Sequence, residues 1–584
     1  MSKSVANRAR PSPIAAALAS CRGAFAAIGL LTGVINVLML SGSLFMLQVY
    51  DRVLPSRSIP TLVGLFGLLA LVCSFQAILD MTRARILVRI GAFLDGQLGK
   101  RVYDALVRLP LKTQSRADGL QPVRDLDQLR SFLSGNGPMA LCDLPWMPLY
   151  LGLCFLFHVW IGITALAGAA VLVALTLSTE MLTRAPSKAG VAFGASRMAI
   201  AETSRRNAEV LQAMGMREWM WAIWSDANAR YMQAQQRSAD VAGGLGALSR
   251  AFRMMLQSGV LAVGAYLTIN QEATGGIIIA SSILVTRALA PVELAIANWR
   301  GFLGARQSWR RLSDLLALLP EKEAPLALPQ PHRILSVEQV SVAPPGRQNL
   351  VVQDVAFKLE AGQAVGIVGP SASGKSSLAR AIVGVWQPAR GTIRLDGAAL
   401  DHWCSQTLGP HVGYLPQDVE LFDGTVAENI ARFRPDPEPA AIIVAAQTAG
   451  VHELILRLPE GYETRIGEAG MALSAGQRQR IALARALYGE PFLVVLDEPN
   501  SNLDAEGDGA LTQAIIAARR RGAIVIVIAH RPSALHGVDL VLAMANGRVQ
   551  AFGPKETVLC SGPQRSRAHP RPVPVVLDTE AMRA

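Results

Sequence analysis

Long runs without a charged residue dominate the first 300 positions. Ala24 to Gln48 and Ile59 to Leu79 are uncharged, and each is long enough to cross a hydrocarbon core of roughly 30 Å. Leu144 to Thr179 is too long for one span and divides at His158-Val159-Trp160 into a tight hairpin of two. Met254 to Gln271 makes a fifth span, and a sixth opens near Gly275, interrupted by Arg287. Between them, Met81 to Ala140 and Glu180 to Arg253 keep a helical period with few breakers. They are predicted to carry helices out of the membrane into the cytoplasm. Four prolines in "LLPEKEAPLALPQPHR" then mark a linker. From Ile334 onward strands and helices alternate, as a parallel α/β domain requires.

Composition agrees with this division. Hydrophobic residues make up 51% of the 584 positions and charged residues only 17%, too apolar for an ordinary soluble chain. The net charge of +12 has a topological origin. Arg83, Arg85, Arg89, Lys100, Arg101 and further basic residues lie between the second and third spans, and Lys3, Arg8, Arg10 and Arg22 precede the first. Basic segments stay cytoplasmic, which places both termini and the α/β domain there, against anionic lipid. No aromatic–basic stripe suggests a nucleic-acid partner. The six cysteines show no metal or CxxC spacing and are expected to be reduced. The expected boundaries are an N-terminal tail at 1–22, a six-helix membrane domain at 23–318, a linker at 319–332, an α/β domain at 333–560 and a disordered Pro/Arg-rich tail at 561–584.

Chemistry concentrates in the α/β part. "AVGIVGPSASGKSS" is an apolar strand, a glycine loop and a helix start, and Gly369-x-x-x-x-Gly374-Lys375-Ser376 fits the P-loop pattern. Backbone N–H groups along Gly369, Ser371, Ala372, Ser373, Gly374, Lys375, Ser376 and Ser377 would cradle the phosphates of ATP. The Lys375 ammonium would meet the β/γ oxygens, and the Ser376 hydroxyl would ligate Mg²⁺. "FLVVLDEP" delivers Asp497, suited to Mg²⁺, and Glu498, suited to act as general base on the attacking water. "AIVIVIAHR" delivers His530 to the same sheet edge, and Gln417 of "VGYLPQD" could reach the Mg²⁺ or the water. "ALSAGQRQRIALARAL" begins a second helix with an anion-attracting N-terminus, its Ser474 a natural cap beside Gly476 and Gln477.

These motifs, in this order over about 160 residues, resemble a complete ATP-binding-cassette domain. With six spans ahead of it, the chain resembles an ABC exporter half-transporter. "YDRVLPSRS", "DLPWMPLYL", "GGIIIASSILVTRALAPVE" and "GYLPQDVELFDGTVAENIARF" are similar to the type I secretion permease/ATPases of the protease- and lipase-exporting kind, over about residues 20 to 555. The resemblance implies a multi-pass protein of the inner membrane of a Gram-negative bacterium, working as a homodimer with a periplasmic adaptor (a membrane fusion protein) and an outer-membrane channel. Its cargo would be an unfolded secreted polypeptide. It also implies that Gln417 couples nucleotide to the membrane domain and that His530 senses the γ-phosphate. Asp504 would lie in a loop communicating across the dimer, where Ser474 and Gly476 face the nucleotide held by Lys375 of the other chain. Thr464 to Gly470, "TRIGEAG", would face the cytoplasmic helices. Two departures stand out. "VSVAPPGRQ" lacks the aromatic residue that commonly stacks on adenine, and the 22 residues before the first span leave no room for a peptidase-like domain, so leader-peptide cleavage is not expected. The same fold could instead export lipid or small amphipathic molecules. A cassette ATPase without a transport role fits the six spans poorly.

Overall fold

The structure is a computed structural model, and it describes residues 13–112, 120–319, 328–467, 470, 472–529 and 531–560. Apart from the short stretch Leu111–Gln114, the chain divides into two compact units at Pro320. The tail at 561–584 and most of the linker lie outside the described residues.

The first unit is helical. Among the described residues, six helices are long and apolar enough to cross a membrane. They are α2 (Arg22–Ser56), α3 (Ile59–Lys112), α5 (Asn136–Phe157), α6 (Val159–Arg206), α7 (Arg217–Ile269) and the Gly275–Trp299 part of α8 (Gly275–Leu318). Two shorter helices, α1 (Pro13–Ser20) and α4 (Gln121–Ser134), accompany them. The hairpin turns at His158, whose Nδ1 accepts from Trp160 N at 3.2 Å to cap α6. The long helices α6 and α7 pack along much of their length. Gly168 leaves room for Leu256, Ser187 and Ser238 share a hydrogen bond at 3.0 Å, and Arg197 lies over the Tyr231 ring at 4.3 Å.

Three features depart from the sequence reading. Within the expected N-terminal tail, residues 13–20 form a helix, with Ile14 fully buried against Leu94, Leu98, Leu312 and Leu316. "PIAAALAS" is a good helix former, but the face that buries it comes from distant helices. The first span does not end at Gln48; it continues through a π-turn at Val49–Val53. There the Asp51 carboxylate accepts from Thr274 Oγ1 (2.7 Å) and Gly276 N (2.9 Å), capping α8. A Cβ at Gly276 would lie 2.6 Å from that carboxylate, so only glycine admits the contact. Third, Arg83 is not simply a surface cation: it is 6% exposed. Its Nη1 donates to Asp143 Oδ1 (3.0 Å) and Thr32 Oγ1 (3.2 Å), and its Nη2 to Asp80 (3.0 Å). Asn36 donates to the same Asp143 oxygen at 3.0 Å and accepts from Tyr150 Oη at 2.9 Å, so one polar cluster joins α2, α3 and α5. Farther along, Glu293 of α8 pairs with Arg253 of α7 at 2.7 Å, while Arg287 is exposed.

The second unit holds two sheets. Strands β1 (Ile334–Val342), β2 (Val352–Glu360), β4 (Arg390–Leu395) and β5 (Ala398–Ala399) form an antiparallel sheet in the order β2-β1-β4-β5. The larger sheet contains β3 (Ala364–Val368), β6 (Val412–Leu415), β7 (Leu493–Asp497), β8 (Ile524–Ile528), β9 (Leu540–Ala545) and β10 (Arg548–Pro554), ordered β10-β9-β3-β8-β7-β6. It is parallel except for the β9–β10 edge. Strands β7 and β8 are buried at every position, as unbroken apolar runs require. The helices used below are α9 (Lys375–Ile382), α10 (Val426–Ile430), α11 (Ala475–Leu487) and α12 (Ala505–Arg520).

Asp143→Ala strips Arg83 and Asn36 of a shared acceptor and is expected to cost about 3 kcal/mol, because it leaves a poorly compensated buried charge. Adding Arg83→Met should recover part of that loss. Thermal unfolding of the detergent-solubilised single and double variants measures it, and strictly additive losses would argue against the coupling.

Candidate ATP site

The site gathers at the carboxyl ends of β3, β6, β7 and β8, where parallel strands release their loops in one direction. Strand β3 sits between β8 and β9 and runs directly into the glycine loop. The loop's shape is set by close backbone approaches. A Cβ at Gly369 would lie 2.1 Å from Met544 O, and one at Gly374 2.5 Å from Val351 O. Gly374 has φ +94°, and even Ala372 adopts φ +63°. Ser371 and Ala372 are exposed at the tip, while Ser373 and Lys375 are buried. Ser377 continues α9.

Lys375 Nζ donates to the carbonyls of Gly369 (3.0 Å) and Pro370 (2.8 Å), folding its ammonium back over the loop. Burial pushes its pKa down, opposed by the nearby Glu498 and Asp497 carboxylates. The Ser376 hydroxyl donates to Asp497 Oδ1 at 3.1 Å. Asp497 is fully buried and its Oδ2 has no hydrogen-bond partner among the described residues. Burial pushes the Asp497 carboxyl up, and the Ser376 hydrogen bond acts against that rise. A fully desolvated, half-satisfied carboxylate beside a hydroxyl is a hard-oxygen donor pair of the kind Mg²⁺ takes together with phosphate oxygens and water. No cluster of three acidic, His or Cys ligands occurs among the described residues, so an all-protein metal cage is not formed there. Ser373 Oγ is likewise buried without a partner, beside Gly369.

Glu498 follows Asp497 on the same edge with φ +51°, a strained value for a glutamate, held by its N–H donating to Ile528 O at 3.0 Å. Gln417 is exposed and lies two residues beyond β6, the strand registered beside β7. Strand β8 leads to His530, which itself lies outside the described residues. Helix α11 begins as the sequence indicates. Ser474 Oγ accepts from Gln477 N (3.3 Å) and Gln477 Oε1 accepts from Ser474 N (2.9 Å), closing a capping box. A Cβ at Gly476 would meet Asn502 O at 2.9 Å, so the second helix and the loop after Glu498 touch here.

That contact leads to residues the sequence reading passed over. Buried Gln479 donates to the carbonyls of Glu498 (3.2 Å) and Pro499 (2.7 Å) and accepts from Ser501 Oγ (3.3 Å). Arg480, also buried, is bonded to Asp504, which caps α12 by accepting from Gly507 N at 2.9 Å. Two adjacent residues of α11 therefore hold the loop that follows the catalytic candidate. Both residues stand in "GQRQR", where polar residues on an otherwise apolar helix were the available signal.

Both units match known protein families. Residues 25–290 match the ABC transporter transmembrane region and residues 352–501 the ABC transporter family. The chain is 59% identical over 553 residues, 95% of each chain, to the type I secretion system ATP-binding protein PrsD of Rhizobium meliloti (strain 1021). It is 32% identical over 546 residues to the cyclolysin secretion/processing ATP-binding protein CyaB of Bordetella pertussis, covering 91% of this chain and 75% of that protein. In fold it is similar to a bacterial Atm1-family ABC exporter solved with ATP bound, with a TM-score of 0.78 at 23% identity, over 93% of this chain and 96% of that one.

Gly374→Ala is expected to abolish measurable nucleotide binding while the circular dichroism stays unchanged, since a methyl group would displace Val351 from the loop. Titration with a fluorescent ATP analogue reads this directly. An unaltered Kd would show that the loop tolerates the displacement.

Proposed function

The chain belongs to the ABC transporters and, among them, to the type I secretion ATP-binding proteins; from that premise we propose that it drives unfolded polypeptides out of a Gram-negative cell. One observation carries the reading: a single chain joins six helices able to cross a membrane to a sheet edge that presents a phosphate loop and two adjacent carboxylates. ATP is the substrate. Gly369, Ser371, Ala372, Ser373, Gly374, Lys375, Ser376 and Ser377 bind its phosphates, and Lys375 exchanges the carbonyls of its own loop for phosphate oxygens. Ser376, Asp497 and Gln417 hold Mg²⁺, which neutralises charge on the β- and γ-phosphates when bound. Glu498 takes the proton of the attacking water, and its strained backbone fixes where the carboxylate can reach. His530 contacts the γ-phosphate.

The capping box at Ser474 closes the N-terminus of α11, where Ser474 and Ala475 are exposed. We assign Ser474, Gly476 and Gln477 to the nucleotide held by a second copy of the chain, with Asp504 reporting between the two sites. The working unit is then a homodimer in the inner membrane, ATPase units cytoplasmic, engaged with a periplasmic adaptor and an outer-membrane channel. Relatives named for toxin secretion support a protein cargo.

Glu498→Gln should keep ATP binding and lower turnover by at least about 100-fold, whereas Lys375→Ala should lose nucleotide affinity; wild-type turnover in the first variant would sink the general-base role. For the cargo, the culture-supernatant proteome of a deletion strain should lack one or more polypeptides found in its parent. A complete supernatant with altered lipid or drug sensitivity would instead assign the chain to lipid or amphipath export.

A further inference from the structure

Away from the phosphate loop, the Arg432 guanidinium makes four hydrogen bonds, all to backbone carbonyls. Its Nε donates to Arg485 O at 2.9 Å and its Nη2 to Ala486 O at 3.0 Å. Its Nη1 donates to Gly409 O (2.9 Å) and Val412 O (3.1 Å). The first two acceptors belong to the last turn of α11, where a helix leaves its carbonyls without partners. The other two bracket the entry to β6, the strand that leads to Gln417. Gly413 allows this approach: a Cβ there would lie 2.1 Å from Ala486 O. The planar fork of an arginine suits four fixed acceptors in a way the single ammonium of lysine does not. Burial first, then the neighbouring Arg434 and Arg485, push its pKa down to about 10, so it stays charged at neutral pH.

The backbone around Arg432 is equally constrained. It and Phe433 have φ +58° and +53°, directly after α10. Helix α10 is tied in turn to the Thr464–Ile466 segment, through Val426 N to Thr464 O (3.1 Å) and Ile466 N to Gly424 O (3.0 Å). The loop between Gln417 and Gly424 is gripped from both sides. Arg485 donates to Glu420 O at 3.2 Å, and fully buried Asn429 bonds Phe422 through both N–H and C=O at 2.9 Å. No hydrogen bond among the described residues links Arg432 to the phosphate loop.

We propose that Arg432 is a positioning residue for ATP turnover, locking the loop after β6 that carries Gln417 and helix α11 into one body that follows displacements of the Thr464–Ile466 segment. This rests on the assignment of Gln417 and the α11 N-terminus to ATP hydrolysis. Because Arg432 acts on the geometry of turnover and not on the pocket that binds nucleotide, its loss lowers kcat and spares KM.

The test uses the full chain in lipid nanodiscs. Arg432→Ala should lower kcat for ATP about tenfold with KM within about twofold of wild type. Low-millimolar guanidinium should restore part of that kcat, whereas methylammonium, which lacks the fork, should not. Arg432→Lys should stay well below wild type, and it carries the test if the alanine variant does not fold. The proposal is overturned by an unchanged kcat, by a KM rise that matches the kcat loss, by a lysine variant at wild-type rate, or by a folded alanine variant that guanidinium does not rescue. A wild-type chain without ATPase activity would overturn the underlying assignment instead.

Discussion

A carboxylate with no access to water organises the second unit. Asp497 ends a strand that is buried at every position, and among the described residues one of its oxygens is met only by the Ser376 hydroxyl. Burying a charge is costly unless it is paired and hydrogen-bonded, and here the compensation is incomplete within the protein. The incomplete balance fixes the character of the neighbourhood. The phosphate loop must come close enough for Ser376 to reach Asp497, which requires glycines where the loop passes Met544 and Val351. Lys375 must find acceptors in its own loop, and a strained Glu498 must turn the chain immediately after the strand.

The loop that follows Glu498 is held by α11 and not by the sheet. Gln479 grips the carbonyls of Glu498 and Pro499, while Arg480 grips the residue that caps α12. The helix whose N-terminus is offered outward is therefore the one that fixes the general-base candidate from behind. That linkage gives a physical route by which an event at Ser474 can be felt at Glu498 within one chain, through two buried polar side chains.

Comparable economy holds in the membrane unit. Two stretches that stand out in the sequence, "YDRVLPSRS" and "GGIIIASSILVTRALAPVE", are two halves of one contact: the Asp51 carboxylate closes the first turn of α8 at Gly276. Without a side chain at Gly276 the carboxylate can sit on the helix N-terminus, where the dipole favours it. The Arg83 cluster applies similar chemistry between α2, α3 and α5, so helices that apolar packing alone would leave free to slide are held in register by polar bonds.

By itself the sequence determined the six spans, the hairpin at His158, the phosphate loop, the Asp497–Glu498 pair and the capped start of α11. Each of these depends on local physics: the length of an uncharged run, the period of a strand, the conformational freedom of glycine, or a side chain three residues from an orphan N–H. Only the tertiary structure decided the rest. The burial of Ile14 in a segment that reads as a tail, the cap on α8 by Asp51, the pairing of Arg83 with Asp143, the grip of Gln479 and Arg480 on the loop after Glu498 and the four-carbonyl clamp of Arg432 all join residues far apart in the chain. Ile14 packs on leucines of distant helices, and the others meet backbone carbonyls or single carboxylates, which carry no pattern along the sequence. An arginine on a helix reads as a solvated cation until the fold removes the water around it.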